Sequence, residues 1–138
     1  MYKVYTSGVW DLFHVGHLNM IKRAATYGDY LIVGVATDEA ATHYKRKPII
    51  PFEQRCEIIS AIRCVDEVVP VYYLGTIDPM VGHDVNVRVA GGDFGKYPEQ
   101  WEAKRNMEKL DIRLVVIPRT PNVSTTDIMQ RIREDNEN

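Results

Sequence analysis

Residues 30–38, YLIVGVATD, form an almost unbroken apolar run rich in β-branched side chains. A strand with one wet face alternates apolar and polar residues, so a run without alternation reads as a strand covered on both faces. Helices packed on each side of a sheet provide that cover. The rest of the chain keeps the matching rhythm. Short β-rich runs at 2–8, 66–72, 86–93 and 112–118 alternate with helical patterns at 17–28, 51–64, 98–110 and 124–135. Residues 43–49, HYKRKPI, read as a basic loop. Pro51 suits the first turn of the helix that follows, and Pro70 suits an edge or the end of its strand. The expectation is an α/β fold, doubly wound around a mostly parallel five-stranded sheet, with residues 1–138 as a single domain.

The formal charge of −2 argues against broad electrostatic binding to nucleic acid or to an anionic membrane. No apolar run approaches the ~18 residues of a spanning helix, and no signal peptide precedes the first strand. Cys56 and Cys64 fall within one expected helix, where eight residues of rise is about 12 Å, too far for a disulfide. They read as reduced thiols of a cytoplasmic protein.

In doubly wound sheets ligands bind beyond the carboxyl ends of the strands, where the winding reverses. Three turns lie there. The first carries GVWDLFHVGH, with Gly8 ending a strand, Gly16 allowing close backbone approach and His17 opening a helix. Helix-start amides attract phosphate and imidazoles donate to phosphoryl oxygens. A purely structural role for the two histidines stands beside that reading. A zinc site does not, because His43 and His83 sit at no metal-binding spacing. The second turn, RTPNVSTTDI (119–128), is at once a capped helix start, with Ser124 and Asp127 as a capping box, and a phosphate cradle built from Arg119 and a cluster of hydroxyls. The third element is basic. Lys45, Arg46 and Lys47 lie in the loop, and Arg55 and Arg63 lie two helical turns apart, serving either substrate or a subunit interface.

Together these segments resemble a known family. GVWDLFHVGH is similar to the G-x-x-D-x-x-H-x-G-H signature of the nucleotidyltransferase superfamily. RTPNVSTTDI resembles the R-T-x-G-I-S-T-[ST]-x-I signature of its cytidylyltransferase branch, and RCVDEVVP the R-x-V-D-E-V segment of the same branch. The likeness runs from residue 2 to about 133, with the short bacterial glycerol-3-phosphate enzymes nearest and the choline- and ethanolamine-phosphate enzymes next. It implies a Rossmann-like nucleotidyltransferase fold and a reaction in which CTP and a small phosphorylated alcohol give a CDP-alcohol and pyrophosphate.

The resemblance also implies roles. His14 and His17 hold the α- and β-phosphate oxygens, Lys45 is the catalytic cation with Arg46 as a second, and Arg119, Ser124 and Thr125 grip the departing pyrophosphate. Gly8, Val9, Trp10, Asp11, Gly16, Asp93 and Thr120 belong to the nucleotide side, and Arg46, Arg55 and Arg63 to the acceptor side. Mg²⁺ accompanies CTP, with no ligand from protein side chains. A homodimer through Arg63–Val69 and a cytoplasmic location follow from the family, and neither nucleic acid nor membrane is a partner.

Some positions depart from the pattern. Val9 stands where the glycerol branch has threonine, Pro121-Asn122 replaces an acidic residue and glycine, and GGDFGKYPEQW differs from that branch's D-D-W-x-G-K stretch. Choline- or ethanolamine-phosphate or phosphonate acceptors, ATP in place of CTP, and a catalytically silent nucleotide-binding partner are the competing readings. A quaternary ammonium acceptor calls for an aromatic cage, for which Tyr72, Tyr73, Tyr97 and Trp101 are available.

Overall fold

The computed structural model describes residues 1–137. Strands β1 (Lys3–Gly8), β2 (Tyr30–Ala36), β3 (Glu67–Val71), β4 (Val87–Gly91) and β5 (Arg113–Ile117) form one sheet in the order β3-β2-β1-β4-β5. Every pairing is parallel, so the expected mostly parallel sheet is wholly so. The helices are α1 (Val15–Ala25), α2 (Asp38–Tyr44), α3 (Phe52–Ser60), α4 (Asp78–Gly82), α5 (Pro98–Lys109) and α6 (Thr125–Glu137). β1 has β2 on one side and β4 on the other, so the winding reverses there. The turns leaving β1 and β4 therefore diverge and leave a crevice beyond the carboxyl ends of the strands.

Both faces of the sheet are buried, as the apolar run at 30–38 requires. On one face Val4, Leu31, Val33, Val35, Val87 and Val89 pack with Ile21 and Ala24 of α1 and Ile59 of α3. On the other, Tyr5, Ile32 and Val69 pack with Met80 of α4 and Met107 of α5. Each fully buried aliphatic side chain contributes about 1.5–3 kcal/mol, so the central strands hold the molecule together and leave the loops at their ends to chemistry. Pro70 sits exposed on β3, an edge strand that tolerates its missing amide.

Several boundaries differ from the sequence reading. α2 occupies residues assigned to the end of a strand and the start of a basic loop. It has one short turn of apolar burial, Ala40 and Ala41, which is too little for a periodic signal. Its start is fixed instead by Thr37, whose Oγ1 accepts the Ala40 amide at 3.1 Å. α4 is a single turn opened by Asp78-Pro79 and was likewise not legible. Pro51 caps α3 in extended conformation rather than lying inside it, and α3 ends at Ser60. Cys64 therefore lies beyond the helix that holds Cys56, and both thiols are free. Among the described residues no helix is long and apolar enough to cross a membrane.

Candidate active site

The turn between β1 and α1 is held in a conformation it would not adopt alone. Trp10 and Leu12 have φ of 61° and 48°, the left-handed region that costs an ordinary side chain about 1 kcal/mol or more. Three ties impose it. The Trp10 indole is buried and donates Nε1–H to the Gly34 carbonyl at 2.9 Å. The Asp11 carboxylate, 3% exposed, accepts the amides of Ile49 and Ile50 at 2.9 Å each and the Arg46 guanidinium at 3.0 Å. Thr125 Oγ1 donates to the Asp11 carbonyl at 3.0 Å, bringing the start of α6 to the same turn. Burial alone would raise the Asp11 carboxyl, but the two amides and Arg46 outweigh it and hold the group below the usual carboxylate range. Asp11 thus joins the signature turn to the basic loop.

The histidines follow from this turn. His14 is the N-cap of α1, and its Nδ1 accepts the Gly16 amide at 3.0 Å. His17 Nδ1 accepts the His14 amide at 3.3 Å, and the two rings stack with centroids 3.8 Å apart. A Cβ on residue 16 would lie 2.8 Å from the His14 ring, so glycine is required there. The first helix accordingly begins at Val15, two residues before the sequence pattern placed it. Burial, then Arg119, lowers the His14 pKa. Burial first, then His14, lowers that of His17 to about 4; Asp11 pulls the other way, and Lys45 adds a smaller lowering. Both rings are therefore neutral at pH 7. Because each Nδ1 accepts a backbone N–H, each proton resides on Nε2 and is free to donate outward.

A pH dependence follows. A histidine whose folded pKa lies below its unfolded value of about 6.5 makes the unfolded state the better proton binder between the two values. The His17 contribution to stability is then intact above pH 6.5 and lost on acidification toward pH 4, by up to about 3 kcal/mol. Denaturation midpoints should fall across that window, and less so in His17→Asn. A His17 NMR titration centred near 6.5 would contradict the burial described here.

Two adjoining clefts and a cavity meet at this turn. The first cleft is lined by His17 and Asp11, by Lys45 and Arg46 from beyond α2, by Asp93 after β4, and by Arg119, Thr125 and Thr126 from the β5–α6 segment. The second continues from Trp10, His17 and Arg119 past Gly16, Asn19 and Thr120. Asn19 Nδ2 donates to Thr120 Oγ1 at 3.3 Å, closing α1 onto that loop. His17 and the hydroxyl-rich turn share one space, whereas His14 stacks on His17 and is not among the residues lining either cleft. The cavity, about 170 Å³, lies beyond Lys45 and shares Gly8, Val9, Lys45 and Asp93 with the first cleft. Ser124 stands at the start of α6, where its Oγ accepts the Asp127 amide at 3.0 Å. Asn122 takes a left-handed φ of 62°, supplying the turn that glycine provides elsewhere.

Cytidylyltransferase-like is the description of the family model that matches residues 5–131. The chain belongs to that family. This cytidylyltransferase is 37% identical over 133 residues to a glycerol-3-phosphate cytidylyltransferase of Bacillus subtilis (strain 168), covering 96% of this chain and 98% of the relative. It is 36% identical to an ethanolamine-phosphate cytidylyltransferase of Mus musculus, matching 94% of this chain but 32% of that longer protein. Among solved structures, a lipopolysaccharide core biosynthesis protein from Thermoplasma volcanium GSS1 superposes with a TM-score of 0.73 at 27% identity, over 87% of this chain and 97% of the other.

Two expected acceptor residues lie elsewhere. Arg55 is 1% exposed, and every described contact of its guanidinium points inward: to the carbonyls of Ile50, Val9 and Ala36 at 2.7–2.8 Å and to Asp38 at 2.6 Å. It fastens the β1 turn to α2 and α3 and has no reach to a ligand. Replacing it with leucine removes the donor from three partly buried carbonyls and from Asp38 and should cost about 3 kcal/mol. Chemical denaturation measures this, while the acceptor KM of the folded variant should stay within a few-fold. Arg63 is exposed in the turn before β3, at the amino end of the strands and away from the clefts. Helical spacing put the two arginines on one face, but α3 ends between them.

The sequence reading also overlooked residues. Arg88, in the middle of the apolar strand VRVAG, is 6% exposed and lines the cavity, with Tyr44, Phe94 and Tyr97 around it. One charge in an otherwise apolar strand is the signal that would have found it. Of the aromatic residues considered for a cage, Tyr97 lines the cavity, whereas Tyr72 is 74% exposed and Trp101 and Tyr73 each 47%.

Proposed function

We propose that this cytidylyltransferase joins CTP to a small phosphorylated alcohol, with glycerol 3-phosphate the first acceptor to test, giving a CDP-alcohol and pyrophosphate. The observation that carries this is the neutral His17 imidazole, stacked on His14 and lining the same cleft as Lys45, Arg119 and Thr125. An acceptor phosphate oxygen attacks the α-phosphorus, the bond from that phosphorus to the bridging oxygen breaks, and pyrophosphate leaves with the electron pair. No enzyme nucleophile is needed, so the protein's task is positioning and charge stabilisation. The Nε2–H groups of His14 and His17 donate to α- and β-phosphate oxygens as charge builds on them. Lys45, between cleft and cavity, meets both the attacking phosphate and the α-phosphate, with Arg46 beside it. Arg119 and Thr125 hold the leaving pyrophosphate at the start of α6, where Ser124 orders the first turn. Gly8, Val9, Trp10 and Asp93 border the nucleotide, and the second cleft past Gly16 and Thr120 receives its remainder.

Mg²⁺ fits this donor set as a companion of the nucleotide. The cleft offers imidazole, ammonium, guanidinium and hydroxyl groups and the carboxylate of Asp93, Asp11 being occupied by the amides of Ile49 and Ile50 and by Arg46. Among the described residues no cluster of three His, Cys, Asp or Glu side chains is placed to cage an ion. Held by phosphate oxygens and water, it would neutralise triphosphate charge. A homodimer through the Arg63–Val69 segment is supported by the free outer edge of β3 and the exposure of Arg63. A cytoplasmic location is the corresponding reading for free thiols.

The test is pyrophosphate release from CTP or ATP with glycerol 3-phosphate and related phosphates. Release with CTP and one acceptor supports the reading. Release only from ATP would replace CTP, and nucleotide binding without release from any acceptor would make the protein a silent binder.

A further inference from the structure

Arg88 poses an electrostatic problem. It projects from β4 on the face of the sheet that carries Tyr5, and its rings of contact are Tyr5 and Phe94, at 5.5 and 5.7 Å from the guanidinium carbon. Nη2 donates to Ser7 Oγ at 3.1 Å, while the buried Nε has no hydrogen-bond partner. Among the described residues no carboxylate lies within ion-pair distance of it. Tyr5 is no counter-ion, because burial raises its pKa despite the opposing pull of Arg88. Arginine nonetheless keeps its proton. A buried charge without a partner costs several kcal/mol, so folded proteins pair buried charges or use them.

The position of Arg88 decides what it could pair with. It lines the cavity and not the first cleft, whereas Lys45, Gly8 and Asp93 line both. The reacting phosphate of an acceptor belongs where cleft and cavity meet, beside Lys45. Whatever faces Arg88 is therefore the other end of the acceptor. The remaining wall combines apolar Ala40, Ala41, Val71 and Leu74 with the polar Tyr97 and Gln100. At about 170 Å³ the cavity equals five or six waters at ~30 Å³ each, the scale of a three-carbon acid.

We propose that the acceptor carries a second acidic group, a carboxylate or an equivalent anion, opposite its reacting phosphate, and that Arg88 binds it in this cavity. The inference rests on the cytidylyltransferase reading and narrows its acceptor to phosphorylated hydroxy acids. Arg88 is then a specificity residue that selects the acceptor by charge, and its partner arrives with the substrate. The Arg88 charge disfavours an ammonium group beside it, while the one carboxylate of the wall, Asp93, stands at the end shared with the first cleft.

The test compares ligands of equal size and different charge. Calorimetric titrations use the protein loaded with α,β-methylene-CTP, which cannot be cleaved at that bond, and are repeated without nucleotide. 3-Phosphoglycerate should bind at least tenfold tighter than glycerol 3-phosphate, from which it differs by a carboxylate in place of a hydroxymethyl group. Phosphoglycolate should likewise exceed phosphoethanolamine. Arg88→Met should weaken 3-phosphoglycerate by thirtyfold or more and leave glycerol 3-phosphate within threefold, and Arg88→Lys should keep part of the preference. Equal affinities in the wild-type protein, or a preference that survives Arg88→Met, would overturn the proposal. Loss of the cytidylyltransferase reading shows separately, as failure of the CTP analogue to bind at all.

Discussion

His17→Ala should lower kcat by about a thousandfold while leaving CTP affinity within a few-fold. The Nε2–H of His17 faces a cleft that also holds Lys45 and Arg119, so ground-state binding of a triphosphate is shared among several cations and donors. Losing one neutral donor changes that little. The transition state differs, because charge develops on the phosphate oxygens during bond exchange, and a fixed donor in a water-poor site is worth far more there than in water. His17 is also fixed from behind. It stacks on His14, meets the Trp10 ring edge-on at 5.5 Å and accepts the His14 amide. The donor therefore needs no reorganisation as the reaction proceeds. Truncation removes this capping acceptor too, so a stability loss of about 1 kcal/mol accompanies the rate effect. Single-turnover kinetics with calorimetric CTP binding separates the two. A variant that bound CTP weakly but reacted at the normal rate once saturated would assign His17 to binding alone.

What made this site readable before any coordinates was the density of local instruction in a few short segments. The apolar run at 30–38 dictated cover on both faces, and the alternation of patterns around it dictated parallel pairing. The His14–Gly16–His17 spacing and the hydroxyl cluster at 124–126 then fell at the strand ends where such sheets bind ligands. The structure brings His17, Lys45, Arg119 and Thr125 to one cleft.

The misreadings share a physical origin. Arg55 looks like any exposed helical arginine in sequence, yet its four partners come from Val9, Ala36, Asp38 and Ile50, contacts that local periodicity does not encode. α2 escaped because a side-chain cap and two buried alanines suffice to form seven helical residues. Arg88 escaped for the opposite reason: β-strand pattern averages over single positions, and its meaning lies in the lack, among the described residues, of a carboxylate within ion-pair distance. Propensity and period report what a segment does alone, whereas the site is decided by which segments the topology brings together.

Asp11→Ala is the substitution in which those two levels meet, and it should damage both folding and catalysis. The side chain accepts two backbone amides and one guanidinium from the segment Arg46–Ile50, all within 2.9–3.0 Å. Arg46 is 38% exposed, so water recovers most of its lost pairing and the ion pair itself counts for little. The amides are less fortunate, since hydrogen bonds to a charged group contribute about 1.5–3 kcal/mol each and neither amide has another acceptor supplied by the turn. A loss of about 3 kcal/mol is expected, measured by chemical denaturation at pH 7. Its pH dependence carries a sign. The folded carboxyl lies below its unfolded value of about 3.9, so its stabilisation is present above that value and disappears as pH falls through the folded one. Wild type and variant should therefore converge in stability below pH 4. Catalysis suffers because the same segment carries Lys45 and Arg46, and a displacement of about 1 Å in a positioned group can cost a hundredfold. Asp11→Asn keeps one acceptor oxygen and turns an amide toward the donors, so it should fall between the two. Asp11→Ala with undiminished stability but lost activity would instead move Asp11 from ordering the loop to touching substrate. Nothing in its burial favours that, since the carboxylate oxygens already face the amides of Ile49 and Ile50.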